Sequence, residues 1–477
     1  MPGRNRGRTC LLLAALLPAS LAGTADAQVT LVHAAGYHAG GGPLGGGHPT
    51  ACAYSFTVPE GPDRLLLVLG QHKYDPGIPK EVSTQRASLT SLTYAGRPLT
   101  YLPDEKNSPP GSAAGSVWYL LDPPAGTHDL DMRQFRYDNG GENMMAALAF
   151  TGVDPKDPFG ERLLAVVDSK NKAISYRIAS RKGGMVVDAI HLGLRKFKYF
   201  RITPAAGQTA MWEDCHDYRY EWMGSVAPGA DVVEMGWELG GNGRLSVRAL
   251  SLNPSQPARA AKPVEPLKAL PADATGADKP GLVGRVYDLS AHPPAPATAR
   301  LNWQRPALGA KIPPFDGKTL RANKIVETID FHPHDYAANP DRLPDAKGVL
   351  GSGIRKNFVL ELTGRIHVPQ SGPVMFKLLS VDQTKLLIDG RLVIDNHGNN
   401  YNTLKSGVVS LEAGAHELRL IHVEDAGRFG VSLGWRLPGG YPHGIPRGHK
   451  GPINLIPASA FTHAPEHLEQ ADPAGNP

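Results

Sequence analysis

Around Gly364 the chain alternates with a period of two: Phe358, Leu360, Leu362, Ile366 and Val368 fall on one side, Glu361, Thr363, Arg365 and His367 on the other. Residues two apart share a face only in an extended strand, so a helix cannot use this pattern. The grammar returns at Val374, Phe376 and Leu378, and again before Asp389-Gly390, a dipeptide that suits a tight turn between strands. Leu411-Glu412-Ala413-Gly414-Ala415-His416 reads as a further hairpin turn, and Val431, Leu433 and Trp435 as a closing strand.

The first half follows the same rule. Cys52, Tyr54, Phe56 and Val58 alternate with small or polar neighbours, as a half-buried strand requires. The run Leu65 to Leu69 is apolar throughout and reads as a buried central strand. Tyr94 and Leu99 flank Ala95-Gly96-Arg97-Pro98, and Val117 to Leu121 turns at Asp122-Pro123-Pro124-Ala125-Gly126. Glycine (54 residues) and proline (43) punctuate many short apolar segments, and long helical periodicity is missing, which predicts an all-β chain built of sandwiches.

Between residues 254 and 280 the apolar pattern thins. Pro254, Pro257, Pro263, Pro266, Pro271 and Pro280 stand among alanines and charges, the composition of a stiff spacer. The chain is therefore expected to form two β-sandwich domains, 28–253 and 281–463, joined by a Pro/Ala-rich linker at 254–280 and followed by a disordered tail at 464–477. Residues 1–27 read as an export signal. Arg4, Arg6 and Arg8 precede an apolar run from Cys10 to Leu17, and Ala25-Asp26-Ala27 offers small residues for cleavage before Gln28. That run is far short of the roughly 20 residues of a spanning helix, and no later run is longer. A secreted or periplasmic location without a membrane span is expected. The formal net charge of +5 is mild and mixed along the chain, which argues against a nucleic-acid partner.

Cys52 and Cys215 would survive signal removal, and an even pair in an oxidising compartment suggests a disulfide, with two buried free thiols as the rival reading.

The second half resembles the PA14 domain, the β-sandwich named after the protective antigen of anthrax toxin. The likeness is carried in order by 281–287, Ile312-Pro313-Pro314-Phe315, Ile329-Asp330-Phe331, 358–364, 369–372, 376–380, Asp382, 387–390, 411–416 and 433–435. It implies a carbohydrate-binding role, since the family occurs in adhesins, toxins and glycosidases. In yeast-type adhesins of this family two adjacent aspartates hold a calcium ion that grips sugar hydroxyls. Here the tandem reads Val381-Asp382, so the first acid is replaced; Asp382 would be a lone ligand, with Asn399, Asn400 or Asp425 as neighbours. Calcium wants several oxygen ligands, so the substitution disfavours it and no cofactor is expected. An aspartate that caps turn amides is the competing reading of Asp382. The first half loosely resembles β-sandwich modules of bacterial secreted proteins, through Trp118-Tyr119-Leu120, 123–127 and 150–154, which implies a fold and a compartment only.

Two further sets of residues are candidates. Trp212, Tyr218, Tyr220 and Trp222 form the densest aromatic group, and Tyr218, Tyr220 and Trp222 would share a strand face able to stack on sugar rings; core packing is the alternative. His33, His38 and His48 surround a glycine-rich segment, where metal binding competes with a plain loop. Catalytic signatures are missing: no G-x-S-x-G, H-E-x-x-H or C-x-x-C-H occurs. The expectation is a secreted, non-catalytic protein that binds polysaccharide or a cell-surface glycan. A structural component of the envelope that binds envelope proteins, and a glycoside hydrolase with an accessory binding domain, remain the alternatives, because hydrolase carboxylates have no local motif.

Overall fold

A computed structural model of the chain describes residues 28–39, 51–72, 89–103, 115–134, 143–169, 173–193, 202–216, 220–239, 243–255, 266–290, 319–331, 347–381, 383–396, 403–424, 429–438 and 454–469. The first nine strands are β1 (Thr30–Ala39), β2 (Ala51–Val58), β3 (Leu65–His72), β4 (Leu89–Tyr94), β5 (Arg97–Pro98), β6 (Thr100–Leu102), β7 (Gly115–Leu121), β8 (Gly126–Gln134) and β9 (Asn143–Thr151). They form two antiparallel layers, β1-β9-β3-β7-β6 and β2-β8-β4-β5. Tyr54, Phe56, Leu92, Tyr94 and Leu130 of one layer pack on Leu66, Val68, Trp118 and Ala147 of the other.

Eight more strands follow: β10 (Phe159–Ser169), β11 (Ala173–Ala179), β12 (Met185–Gly193), β13 (Ile202–Pro204), β14 (Thr209–His216), β15 (Tyr220–Pro228), β16 (Val232–Leu239) and β17 (Gly243–Leu252). They too make a pair of layers, β10-β17-β12-β15-β14 and β11-β16-β13. The two pairs then share a third core. Leu65, Leu67, Leu69, Leu148 and Phe150 face Val187, Trp212, Trp222, Leu250 and Leu252 across it. The first half is thus four layers deep, where the sequence suggests one sandwich; the two central layers belong to one continuous sheet. The reason lies in the runs with no polar face: Leu65 to Leu69 are all 0% exposed, so β3 has a sheet above and a sheet below. The outer ends of the long sheet also meet. Arg162 Nη1 donates to Pro103 O at 2.6 Å, and the rings of Tyr119 and Phe159 pack edge to face at 4.9 Å.

The remaining described strands are β18 (Lys279–Pro280), β19 (Leu282–Asp288), β20 (Leu320–Val326), β21 (Phe358–Val368), β22 (Gly372–Ser380), β23 (Gln383–Ile388), β24 (Arg391–Asn396), β25 (Thr403–Leu411), β26 (Gly414–Glu424), β27 (Val431–Arg436) and β28 (Phe461–His463), and a short helix, α1 (Pro465–Glu469), follows them. One sheet runs β18-β28-β21-β26-β23-β24, with β19 and β20 beside β21; β27-β22-β25 faces it. The alternating apolar set of β21 meets Val374, Phe376, Leu378, Leu433 and Trp435 in one core, as the period of two requires. Asp389 (φ +49°) and Gly390 (φ +73°) make the two-residue turn between β23 and β24.

Of the two segments read from sequence as spacer and disordered tail, the described parts, 266–280 and 464–469, are docked. Leu267 bonds through its amide to Ser410 O at 2.9 Å and through its carbonyl to Glu412 N at 3.0 Å; Leu270 N reaches Ala415 O at 2.8 Å. At the other end, Arg365 is the cause. Its buried guanidinium meets Asp278 at 2.5 Å, Glu417 at 2.8 Å and Glu466 at 3.0 Å. A cation inside a protein has to be paired, and two of these three acids come from the segments expected to be loose.

The two halves are joined strand to strand. β25 pairs with β22 along one edge, and its other edge takes β1 at Ala34↔Val408 and Ala35↔Gly407 and β14 at Cys215↔Leu404. On the opposite layer, Ser55 N of β2 donates to the Asp395 carboxylate of β24 at 3.3 Å. Between them lies a buried ion pair: the Lys377 ammonium (0% exposed) contacts the Glu213 carboxylate, and Glu213 N donates to Ser406 Oγ at 2.8 Å. Removing one partner strands a charge in the seam. Lys377→Met should therefore lower unfolding free energy by about 3–5 kcal/mol, while adding Glu213→Leu should recover most of it; urea titration of the parent, the two single changes and the double measures the coupling.

Candidate functional site

The loop-bearing end of the second-half sandwich is where β22, β24 and β26 stop and β23, β25 and β27 start. Its floor is polar although buried. Asn396 Nδ2 donates to Ser380 Oγ at 2.5 Å. Thr384 Oγ1 and His422 Nδ1 share a hydrogen bond of 2.8 Å, and His422 Nε2 faces a Glu424 carboxylate oxygen at 3.6 Å. All five side chains are fully buried, with the rings of Phe358 and Phe429 against His422 at 6.3 and 5.4 Å. Lys405, 1% exposed, shares the face of β25 that carries Val409 and Leu411 into the core. A polar layer thus closes the apolar core just under the strand ends. The Asn396–Ser380 bond ties the end of β24 to that of β22 across the sandwich, and the Thr384–His422 bond ties β23 to β26.

Val381 stands at the head of this end, 3% exposed, its amide donating to Gly430 O at 2.8 Å. It packs as a core residue. Asp382, Asn399, Asn400, Asp425 and Tyr218 lie outside the described residues, as does His48. For Cys52, Cys215, Tyr220 and His38 the backbone alone is described: Cys52 in β2, Cys215 in β14, Tyr220 opening β15 and His38 near the end of β1. Among the described residues, no group of three or more His, Cys, Asp and Glu side chains is arranged to hold a metal, and no helix is long and apolar enough to cross a membrane.

Trp212 and Trp222 present no ring face to solvent. They are 0% and 2% exposed, 5.9 Å apart, in the core between the two central sheets. This corrects the expectation that they stack on a sugar. Gly224 makes the arrangement possible: a Cβ there would come within 1.8 Å of the Trp212 ring. His33 is likewise structural, its Nδ1 donating to Val408 O of β25 at 3.1 Å and its ring 4.8 Å from Phe56.

One buried acid had escaped notice. Asp188 accepts from Tyr176 Oη at 2.5 Å, Ser225 N at 2.9 Å, Ser225 Oγ at 2.6 Å and Trp237 Nε1 at 2.7 Å. Its signal was present: a single carboxylate inside Met185-Val186-Val187-Asp188-Ala189-Ile190 must be either a break in the strand or a buried, fully bonded group. Burial raises it to about 6, against the pull of the four donors. Burial and then the Asp188 charge push the Tyr176 phenol well above its usual range.

A family model, that of the PA14 domain, matches residues 351–448. The second half contains a PA14 domain, and the strands that frame the polar layer lie inside the match. Among solved structures, an anti-sigma factor domain-containing protein from Clostridium clariflavum is 17% identical over 64% of this chain and 91% of that one, at a TM-score of 0.26. The PA14 domain of the antifreeze protein MpAFP is 15% identical over 41% of this chain and 96% of its own, at 0.27. A PA14 sugar-binding domain from an RTX adhesin is 15% identical over 39% and 99%, at 0.26. Scores of that size carry no argument about this chain. No curated protein matches it. The first half's resemblance to secreted modules gains nothing from these matches.

Two outcomes follow from the burial. Trp212→Ala should cost about 3–5 kcal/mol in unfolding free energy and leave ligand affinity of the folded chain unchanged, which thermal melts and binding titrations at low temperature separate. His33 gives the seam an acid limit. Burial first, then the Arg391 charge, lowers it from 6.5 to about 3 against its bond to Val408. The unfolded chain therefore binds more protons between those values, and stability falls as pH drops from 6.5 toward 3. Asp188 has the opposite sign, its contribution present below its ordinary 3.8 and lost as pH rises through about 6. In His33→Gln the acid slope should flatten by up to about 1.4 kcal/mol per pH unit, read from urea titrations across that window.

Proposed function

We propose that this chain is an exported, non-catalytic binding protein that holds polysaccharide or a cell-surface glycan at the loop-bearing end of its PA14 domain. The observation that carries the reading is the PA14 match over 351–448, which spans the strands framing that end. The buried polar layer of Ser380, Thr384, Asn396, His422 and Glu424 supports it: the bonds Asn396–Ser380 and Thr384–His422 tie strands together at that end, as a binding site on a rigid scaffold needs. The apolar signal at Cys10 to Leu17, with cleavage after Ala27, supports export, and in that compartment Cys52 and Cys215 would pair.

The test uses the full mature chain. Retention on a glycan array, with plant, bacterial and acidic polysaccharides represented, is expected; silence on all three classes together with co-purification of envelope proteins would select an envelope structural role instead. Reducing sugar released by the same chain would sink the non-catalytic part. Calcium enters as a separate prediction. Val381 supplies no carboxylate beside Asp382, so a chelator should leave glycan affinity unchanged within about twofold, whereas a calcium-dependent site would lose binding outright.

A further inference from the structure

At the end of the PA14 sandwich opposite its loop-bearing end, a buried histidine faces an acceptor with each ring nitrogen. His416, the third residue of β26, is 0% exposed. Its Nδ1 lies 2.7 Å from a carboxylate oxygen of Asp389, and its Nε2 lies 2.9 Å from the carbonyl oxygen of Glu412. A carbonyl only accepts, so Nε2 carries a proton, and a bare Nδ1 would set its lone pair against the carboxylate. Both contacts are hydrogen bonds only when the ring is an imidazolium. The charged groups that face it are the carboxylates of Asp389 and Glu412, and its neighbour on β21 is Ile366. Burial works against the charge, but the bonds to Asp389 and Glu412 outweigh it and raise the ring above its usual 6.5.

Both acceptors belong to turns, and one of those turns carries a strap. Asp389 opens the β23–β24 turn and also accepts from Glu417 N at 2.8 Å. Glu412 stands between β25 and β26, where residues 267–270 are docked. Glu412 N donates to Leu267 O at 3.0 Å, Ala269 N donates to the Glu412 carboxylate at 3.4 Å, and Leu270 N donates to Ala415 O at 2.8 Å. Gly414 leaves the room for this approach: a Cβ there would come within 2.6 Å of Ala269 Cβ. Leu267 lies beside Leu411, on the edge of β25 that β1 and β14 fill further along.

We infer that residues 267–270 form a proton-held strap: the His416 imidazolium fastens the Glu412 turn to Asp389, and loss of its proton frees that turn and lets the strap leave the edge of β25. When the proton passes to solvent, the ring keeps one donor for two acceptors, so one of the two turns is let go. The strap's departure bares Ser410 O and Glu412 N, an open strand edge able to pair with another strand. Because the folded chain keeps this proton to higher pH than the unfolded one, the fastening is fully present below 6.5 and is lost as pH rises through the pKa of the folded ring.

The experiment is limited trypsin digestion of the full mature chain from neutral to alkaline pH, read by mass spectrometry at Lys268, an exposed residue inside the strap. Each rate is divided by that of a free peptide of residues 264–274, which removes the pH dependence of the protease. Cleavage of a segment that opens and closes quickly follows the population of its open form. The relative rate should be low and flat at neutral pH and then rise by about tenfold or more. In His416→Gln it should be high at every pH, while cleavage at Lys182, exposed in the first half, stays at the parent's rate. In Asp389→Asn the rise should move to lower pH, since the amide cannot hold the imidazolium and asparagine tolerates the left-handed backbone there (φ +49°). Should His416→Gln fold poorly, the parent profile and Asp389→Asn decide. A relative rate at Lys268 that stays constant with pH in the parent, or a rise that Asp389→Asn leaves in place, would overturn the strap.

Discussion

Everything in this structure leans on the two edges of β25. A strand inside a sheet has to find partners for its amides and carbonyls on both sides, and β25 finds them in different halves of the chain: β22 from its own domain, β1 and β14 from the other. Because backbone pairing has a spacing and a register, this contact sets position as well as proximity. It aligns the strand ends of the two halves, closes the exposed edge that an isolated PA14 sheet would present, and turns a chain with a proline-rich middle into one body.

Charge follows the same logic. The buried ions with partners across the chain stand where segments meet: Lys377 with Glu213 at the β22–β14 contact, Asp395 beside Ser55 at the β24–β2 contact, and Arg365 with Asp278, Glu417 and Glu466 where residues 266–280 and α1 dock. Such groups add little net stability when measured against apolar replacements, yet they punish any other arrangement, because a wrong register leaves a charge unpaired in the interior. They specify how the parts fit. Asp188 does the same inside the first half, bonding three elements to one carboxylate.

Much of this was legible in the residues, and what was not has a physical cause. The period of two in β21 and β22, and the Asp389-Gly390 turn, are local consequences of backbone geometry and appear where the sequence places them. Trp212 and Trp222 show the limit. Alternation puts both on one face of their sheet, but only a covering layer decides whether that face is wet, and the cover comes from β3 and β9, which end at His72 and Thr151, far outside any local signal. Leu267 and Leu270 were similarly easy to overlook among prolines, since two apolar residues matter only once there is a strand edge and a core for them to meet. The lone charges inside apolar runs, Lys377 and Asp188, were the readable clue that burial on both faces was coming.

By itself, then, the sequence determined an all-β chain, the boundaries of its main strands, and the PA14 character of the second half, because each depends on spacing within a few residues. Only the tertiary structure decided that the first half is four layers deep, that its tryptophans are core, and that β25 pairs with both halves. Those outcomes depend on strand edges and sheet faces that meet across hundreds of residues, and an edge carries no record in sequence of the partner that will pair with it.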